Sequence, residues 1–63
     1  MNNVELIQLQ AEQVFGNKTK ANAWLTQPKV ALGDQSPIEL ARNEAGYLMA
    51  KDALERIDHG YAS

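Results

Sequence analysis

The chain has 63 residues, with six Lys plus Arg, eight Asp plus Glu and no cysteine, and this composition allows one small, slightly acidic domain at most. The lack of cysteine excludes disulfides, and the single imidazole, His59, excludes a Cys/His zinc site. So short a domain buries only about 60% of the surface that its unfolded chain exposes. Oligomerisation or a partner protein is therefore the remaining support for a thin core.

The same composition disfavours nucleic-acid and membrane partners. A DNA-binding surface needs clustered basic residues, whereas here the Lys and Arg side chains are scattered, mostly beside acids. No apolar run approaches the roughly 20 residues that cross a bilayer. The N-terminus also lacks the basic and apolar regions of a secretory signal. We expect a cytoplasmic protein that does not bind nucleic acid through this chain alone.

The first two predicted helices are separated by a glycine and an asparagine. Apolar residues recur at helical spacing over residues 3–15, and Gly16 supplies a stop because glycine adopts the left-handed conformation without a Cβ clash. Asn17 is a suitable N-cap for a second helix over residues 18–26, which Pro28 ends. The stripe of the first helix consists of Val4, Ile7, Ala11, Val14 and Phe15, and that of the second of Ala21, Trp24 and Leu25.

A loop over residues 28–35 leads to a well-marked third helix. Val30 and Leu32 are the two bulky apolar anchors in the loop. The segment Ser36-Pro37-Ile38-Glu39 places Ser at the N-cap, Pro at the first helical position and Glu at the third, which is the pattern of a capping box. A short helix over residues 37–42 is predicted.

The fourth helix is predicted to run from Glu44 or Ala45 to Asp58, with Gly60 as the residue that ends it and residues 61–63 as a tail. Its apolar stripe has two readings. It either closes the core of a monomer or faces a second copy or a partner, because so small a chain cannot bury every apolar residue internally. The stripe consists of Tyr47, Ala50, Leu54 and Ile57.

Together these elements predict an all-α fold, a small self-associating bundle of about four helices in a single domain of residues 1–63. Trp24 is more simply explained as the largest piece of the core than as a ligand platform, because burying one aromatic ring removes much apolar surface from water. The predicted core residues are Phe15, Trp24, Leu25, Leu32, Ile38 and Leu40.

Nothing in the pattern predicts an enzyme or a metal site. His59 lies in the last predicted helical turn, where a basic residue favours the negative end of the helix dipole, and no nucleophile is paired with it. Asp52, Glu55 and Asp58 repeat at spacings of three beside basic residues, which is typical of a solvated charged face. We expect no catalytic residue, no cofactor and no metal.

An ordered set of short motifs resembles a known family. The set is Val14-Phe15-Gly16-Asn17, Lys20-Ala21, Trp24-Leu25, Ala31-Leu32-Gly33, Ser36 to Ala41, Glu44-Ala45-Gly46, Ala53-Leu54, Arg56-Ile57 and His59-Gly60. No single piece is specific, but the order and the spacings are. Over residues 11–63 the chain resembles the toxin-binding domain of Xre/MbcA/ParS-type antitoxins.

The resemblance implies a function and a partner. Members of the family neutralise RES-type toxins, which consume NAD, through a small helical domain that self-associates as a dimer and obstructs the toxin's NAD pocket. The C-terminal part of the domain is important in that contact. Carried over to this sequence, the toxin-binding residues would be Leu54, Arg56, Ile57, Gly60, Tyr61 and Ser63.

One departure from the family leaves other functions open. Members commonly carry an N-terminal helix-turn-helix domain, whereas this chain starts ten residues before the resemblance begins. We therefore expect that domain to be absent, either naturally or because the chain is a fragment. The alternatives to an antitoxin module are a stand-alone structural or oligomerisation domain with no toxin partner, and a fragment of a DNA-binding transcriptional regulator.

Overall fold

A computed structural model describes the backbone of residues 2–62 and the side chains of residues 2–60. In this part of the chain there are four α-helices, one 3-10 turn and no β-strand, so the predicted all-α class is confirmed. The turn is Val30–Leu32, and an isolated antiparallel bridge joins Lys29 to Gln35 around it. The helices are α1 (Asn3–Phe15), α2 (Lys18–Thr26), α3 (Pro37–Leu40) and α4 (Glu44–Ala62).

The first two helices have the predicted bounds because short polar side chains cap them. Asn2 Oδ1 accepts from the backbone N–H of Glu5 at 2.9 Å, and Asn17 Oδ1 accepts from that of Lys20 at 3.0 Å. Gly16, with φ of 67°, ends α1 in the left-handed conformation, as predicted. The two helices can therefore turn back on each other over two residues.

The predicted capping box at α3 is confirmed, but the helix is shorter than predicted. Ser36 Oγ accepts from the Glu39 N–H at 3.3 Å, and Glu39 Oε1 accepts from the Ser36 N–H at 3.5 Å. The helix ends at Leu40 rather than Arg42, because the next amides turn to the tighter i→i−3 pattern. Asn43 then caps α4, its Oδ1 accepting from the Gly46 N–H at 2.7 Å.

The predicted end of α4 is wrong. The helix continues through Gly60 to Ala62, so Gly60 is not a terminating residue, and residues 61 and 62 are not a tail. Ser63 lies outside the described residues. In residues 2–62 positive φ occurs only at Gly16, Gly33 and Asp34. Glycine permits a left-handed end without requiring it, and no proline follows Gly60 to block the helix.

The core lies where α1, α2 and α4 meet, and small residues bring the helices together. Among the predicted core residues, Leu25, Leu32 and Leu40 are buried, while Phe15, Trp24 and Ile38 are partly buried. Three of the four residues of the α4 stripe close the core of the single chain, because Ala50 and Leu54 are buried and Tyr47 packs against the same cluster, whereas Ile57 lies outside that cluster. The central cluster is Ile7, Ala11, Ala21, Leu25, Ala41, Ala50 and Leu54.

The loop between α2 and α3 has one apolar anchor rather than two. Leu32 is only 8% exposed, whereas Val30 is 89% exposed, so the prediction that Val30 anchors the loop is wrong. In a single turn of 3-10 helix, residues two apart lie on different sides. Burying Leu32 therefore directs Val30 to solvent.

Candidate functional site

An apolar groove runs beside the C-terminal half of α4. Its first part has a volume of about 380 Å3 and lies between α4, Trp24 of α2 and the loop after α2. Its second part, about 360 Å3, is lined by Phe15, Trp24, Ile57 and Gly60. Both parts share Trp24 and Ile57, so they form one surface, which we call the Trp24–Ile57 groove. The first part is lined mainly by Trp24, Leu32, Met49, Ala53, Arg56 and Ile57.

The groove exists because α4 carries small residues beside its core stripe. Met49, Ala53, Arg56 and Gly60 follow one another at i, i+4, i+7 and i+11, which places them on one helical face. Ala53 and Gly60 have little or no side chain, so this face is shallow between the longer side chains. A recess along the helix follows from that alternation.

Trp24 forms a wall of the groove and is held by two ring contacts. Its ring lies 6.1 Å from that of Phe15, centroid to centroid, with the planes tilted by 46°. Lys29 Nζ lies 5.9 Å from the centroid of the Trp24 ring, within the range of a cation–π contact. The indole therefore contacts both α1 and the loop after α2, while part of it stays exposed.

The loop that forms the other wall is held rigidly by its own backbone. The Lys29 N–H donates to the Gln35 carbonyl at 3.2 Å, and the Lys29 carbonyl accepts from the amides of Leu32 and Asp34, both at 2.9 Å. Gly33 and Asp34 are both left-handed, with φ of 70° and 62°. Asp tolerates that conformation better than most residues with a side chain, so Gly33-Asp34 can close the turn next to the groove.

Charged side chains stand at the rim. Arg56 Nη2 and Asp52 Oδ2 are 3.1 Å apart, and both side chains are mostly exposed. An exposed pair at i, i+4 contributes little to stability, so Arg56 can exchange Asp52 for another acceptor at small cost. Lys29 supplies a second cation at the same rim. The groove thus combines an apolar floor with exposed charged edges, a composition typical of protein interfaces.

The residues carried over from the family resemblance are placed differently by the structure. Arg56, Ile57 and Gly60 line the groove. Leu54 is 2% exposed and belongs to the core on the inner face of α4, so the structure does not bring it to the groove, and its role as a contact residue stays a prediction. The side chain of Tyr61, like Ser63, lies outside the described part of the chain.

Sequence reasoning missed half of the groove. Met49, Ala53 and Lys29 were not predicted as site residues, and Trp24 was assigned to the core alone. The α4 residues carry a signal, since they form a second stripe next to the core stripe at the same helical spacing. No such signal exists for Lys29 and Trp24, because only the folded loop brings them to α4.

The structure gives no support to a catalytic or metal centre in the residues it describes. Asp52, Glu55 and Asp58 are exposed, as predicted for a solvated face, and His59 is exposed as well. In residues 2–62, no group of three or more His, Cys, Asp or Glu side chains is arranged to hold a metal ion. No helix of the same segment is long and apolar enough to cross a membrane.

Comparison with known proteins assigns the chain to a family of antitoxin domains. The sequence profile of the antitoxin Xre/MbcA/ParS C-terminal toxin-binding domain matches residues 10–60. That match covers most of the chain and includes every side chain that lines the groove. The chain belongs to this family of antitoxin domains, as the ordered motifs of its sequence predicted.

Two curated relatives, both named antitoxin Xre, agree with the assignment. The protein of Yersinia enterocolitica is 40% identical over 48 residues, which are 76% of this chain and 32% of that protein. The protein of Pseudomonas putida is 33% identical over 51 residues, 81% of this chain and 32% of that protein. The chain thus matches about a third of the length of these relatives. No solved structure matches it significantly.

Proposed function

We propose that this chain binds a RES-type, NAD-consuming toxin and neutralises it by covering the approach to its active site. The observation that carries the proposal is the match of residues 10–60 to a toxin-binding antitoxin domain. Steric inhibition needs neither a cofactor nor a reacting group on the inhibitor. The exposed positions of His59 and of the carboxylates of α4 are compatible with that mode of action.

The Trp24–Ile57 groove is the surface that we assign to the toxin. It contains aromatic, Met and Arg side chains, which are enriched where proteins bind one another. Arg56, Ile57 and Gly60 belong both to this groove and to the C-terminal part of the domain that the family resemblance implicates. Tyr61 and Ser63 remain candidate contacts on the resemblance alone.

We also propose self-association as a homodimer in the cytoplasm, where a toxin that consumes NAD has its substrate. Large apolar side chains that a thin monomer leaves in solvent support this part of the proposal. Leu9 is 45% exposed and Leu48 is 56% exposed, and neither lines the groove. The same observation favours the second candidate function, a stand-alone oligomerisation domain without a toxin partner.

The test is NAD consumption by a RES-type protein captured from the source cell, measured with and without the purified chain. We expect inhibition that is complete near a fixed molar ratio, because a steric inhibitor acts by occupancy. Solution mass, measured on the same samples, separates the two candidate functions. A stable homodimer that leaves NAD consumption unchanged at saturating concentration would refute toxin neutralisation and favour the oligomerisation domain.

Deletion of residues 61–63 tests the contribution of the C-terminal end. We expect the deletion to weaken inhibition more than it lowers the free energy of unfolding, because the residues follow the groove at the end of α4. Equal loss of inhibition and stability would count against a direct blocking role.

A further inference from the structure

The shape of the groove indicates an elongated occupant. It follows α4 from Met49 to Gly60, which at about 1.5 Å per residue is a length of roughly 16 Å. About three turns of a helix have that length, and an amphipathic helix presents apolar side chains to such a groove at i, i+3 or i+4, and i+7. A compact small molecule would fill only one of the two joined parts.

The charges at the rim of the groove indicate which charged residues flank the apolar anchors of the bound helix. Lys29, Asp52 and Arg56 together carry one net positive charge, whereas the whole chain carries a formal charge of −2. The rest of the chain therefore carries a formal charge of −3, and the rim of the groove is a positively charged patch on an acidic domain. A carboxylate on the occupant can accept from Arg56 in place of Asp52, and charge-assisted hydrogen bonds of this kind are strong.

We propose that the Trp24–Ile57 groove receives an amphipathic helix of the partner protein in which Glu or Asp flanks apolar anchor residues. The proposal rests on the proposed function, because it specifies the part of the toxin that this site holds. Trp24, Ala53 and Ile57 contact the anchors. Arg56 and Lys29 receive the flanking carboxylates.

The backbone of the loop after α2 supports a preformed wall of the groove. The Lys29–Gln35 bridge and the two hydrogen bonds that the Lys29 carbonyl accepts close the segment that carries Lys29, Ala31 and Leu32. A wall that is ordered before the partner arrives lowers the entropic cost of binding.

A matched set of helical peptides tests the proposal without any toxin. The probes are three short, capped, Ala-based helices with Leu and Phe anchors at i and i+4, which differ only in carrying Glu, Gln or Lys beside the anchors. Binding is read by Trp24 fluorescence, since Trp24 is the single tryptophan, and by NMR shifts of Met49, Ala53 and Ile57. We expect the Glu peptide to bind at least about fivefold more tightly than the Gln peptide, with the Lys peptide weakest, and the difference to shrink at high salt.

Variants of the chain test which side chains cause the preference for the Glu peptide over the Gln and Lys peptides. Arg56→Gln should reduce the preference for the Glu peptide about threefold or more while the apolar contacts persist. Lys29→Gln should reduce the preference to a similar extent and should also weaken binding of the Gln peptide, because it removes the cation from the Trp24 ring. Lys20→Gln, an exposed cation on α2 that does not line the groove, should leave the preference unchanged. Met49→Glu should abolish binding of the Glu peptide by placing a like charge on the floor.

Several results would overturn the inference. They are shifts outside the groove, no shift with any peptide at millimolar concentration, and a Lys peptide that binds as tightly as the Glu peptide. A Trp24 signal that changes with chain concentration alone would assign the groove to a second copy instead. Because these measurements contain no toxin, their failure leaves the proposed neutralisation intact, and failure of the NAD experiment leaves the peptide result intact.

Discussion

At the scale of single residues, the two glycines of α4, Gly46 and Gly60, differ in how much space a side chain would have. A Cβ built on Gly46 would lie within 2.7 Å of the Leu40 carbonyl carbon and closer still to its oxygen, so α3 and α4 touch there through the backbone. A Cβ on Gly60 would meet open space, and the residue is helical. The first glycine is required by packing, whereas the second only weakens the helix.

Gly46→Ala should therefore lower the free energy of unfolding by about 1–3 kcal/mol, since the backbone of Leu40 has to move to admit a methyl group. Urea denaturation followed by circular dichroism measures the change. A neutral effect would mean that α3 and α4 lie further apart than described.

Gly60→Ala makes the same chemical change on the same helix and should act in the opposite direction. We expect a gain of up to about 1 kcal/mol, because alanine costs less conformational entropy in a helix. A loss of stability would restore Gly60 as the left-handed end of α4 and would contradict the helical extension to Ala62.

At the scale of elements, the two bulky apolar side chains of the loop after α2, Val30 and Leu32, contribute differently to stability. Leu32→Ala should cost about 2 kcal/mol or more, because it leaves a cavity beneath the loop. Val30→Ala should change stability by less than about 0.5 kcal/mol, since the side chain is exposed. Thermal unfolding of both variants tests the assignment. Equal losses would show that Val30 is packed in solution.

Within α4, residues on the inner face contribute to stability, and residues on the outer face contribute to binding. Leu54→Ala should lower the free energy of unfolding by about 2–5 kcal/mol, because the side chain is part of the core. Arg56→Ala should lose only the exposed ion pair with Asp52, roughly 0.5 kcal/mol, but weaken the partner complex. Denaturation and inhibition measured on both variants check the division. A stable Leu54→Ala variant that no longer inhibits would reverse our placement of Leu54.

The elements also differ in how far sequence alone predicts them. The bounds of α1 and α2 follow from local chemistry, because Asn2, Gly16 and Asn17 cap the helices that they flank. The end of α4 does not, because Gly60 is compatible with both a helical and a left-handed backbone. Val30 and Leu32 are equally apolar in sequence, and only the course of the loop decides which of them is buried.

At the scale of the whole molecule, the chain combines a thin core with an open apolar groove. Three of the four stripe residues of α4, Tyr47, Ala50 and Leu54, close the monomer, so the partner surface is built from Ile57 and the neighbouring face of the same helix. The groove also needs Trp24 and Lys29, whose distance from α4 in sequence gives no pattern to detect. The fold and family were predictable from local motifs, whereas the groove depends on tertiary packing that one sequence does not display.

The most direct test of the account is inhibition of a RES-type toxin by three versions of the chain: unchanged, Met49→Glu and Ala45→Glu. The two variants introduce the same charge at exposed positions one turn apart on α4, but only Met49 lines the groove. We predict that the unchanged chain stops NAD consumption, that Ala45→Glu inhibits equally well, and that Met49→Glu needs at least about tenfold more chain. No inhibition by the unchanged chain, or equal weakening by both variants, would contradict the assignment of the Trp24–Ile57 groove to toxin neutralisation.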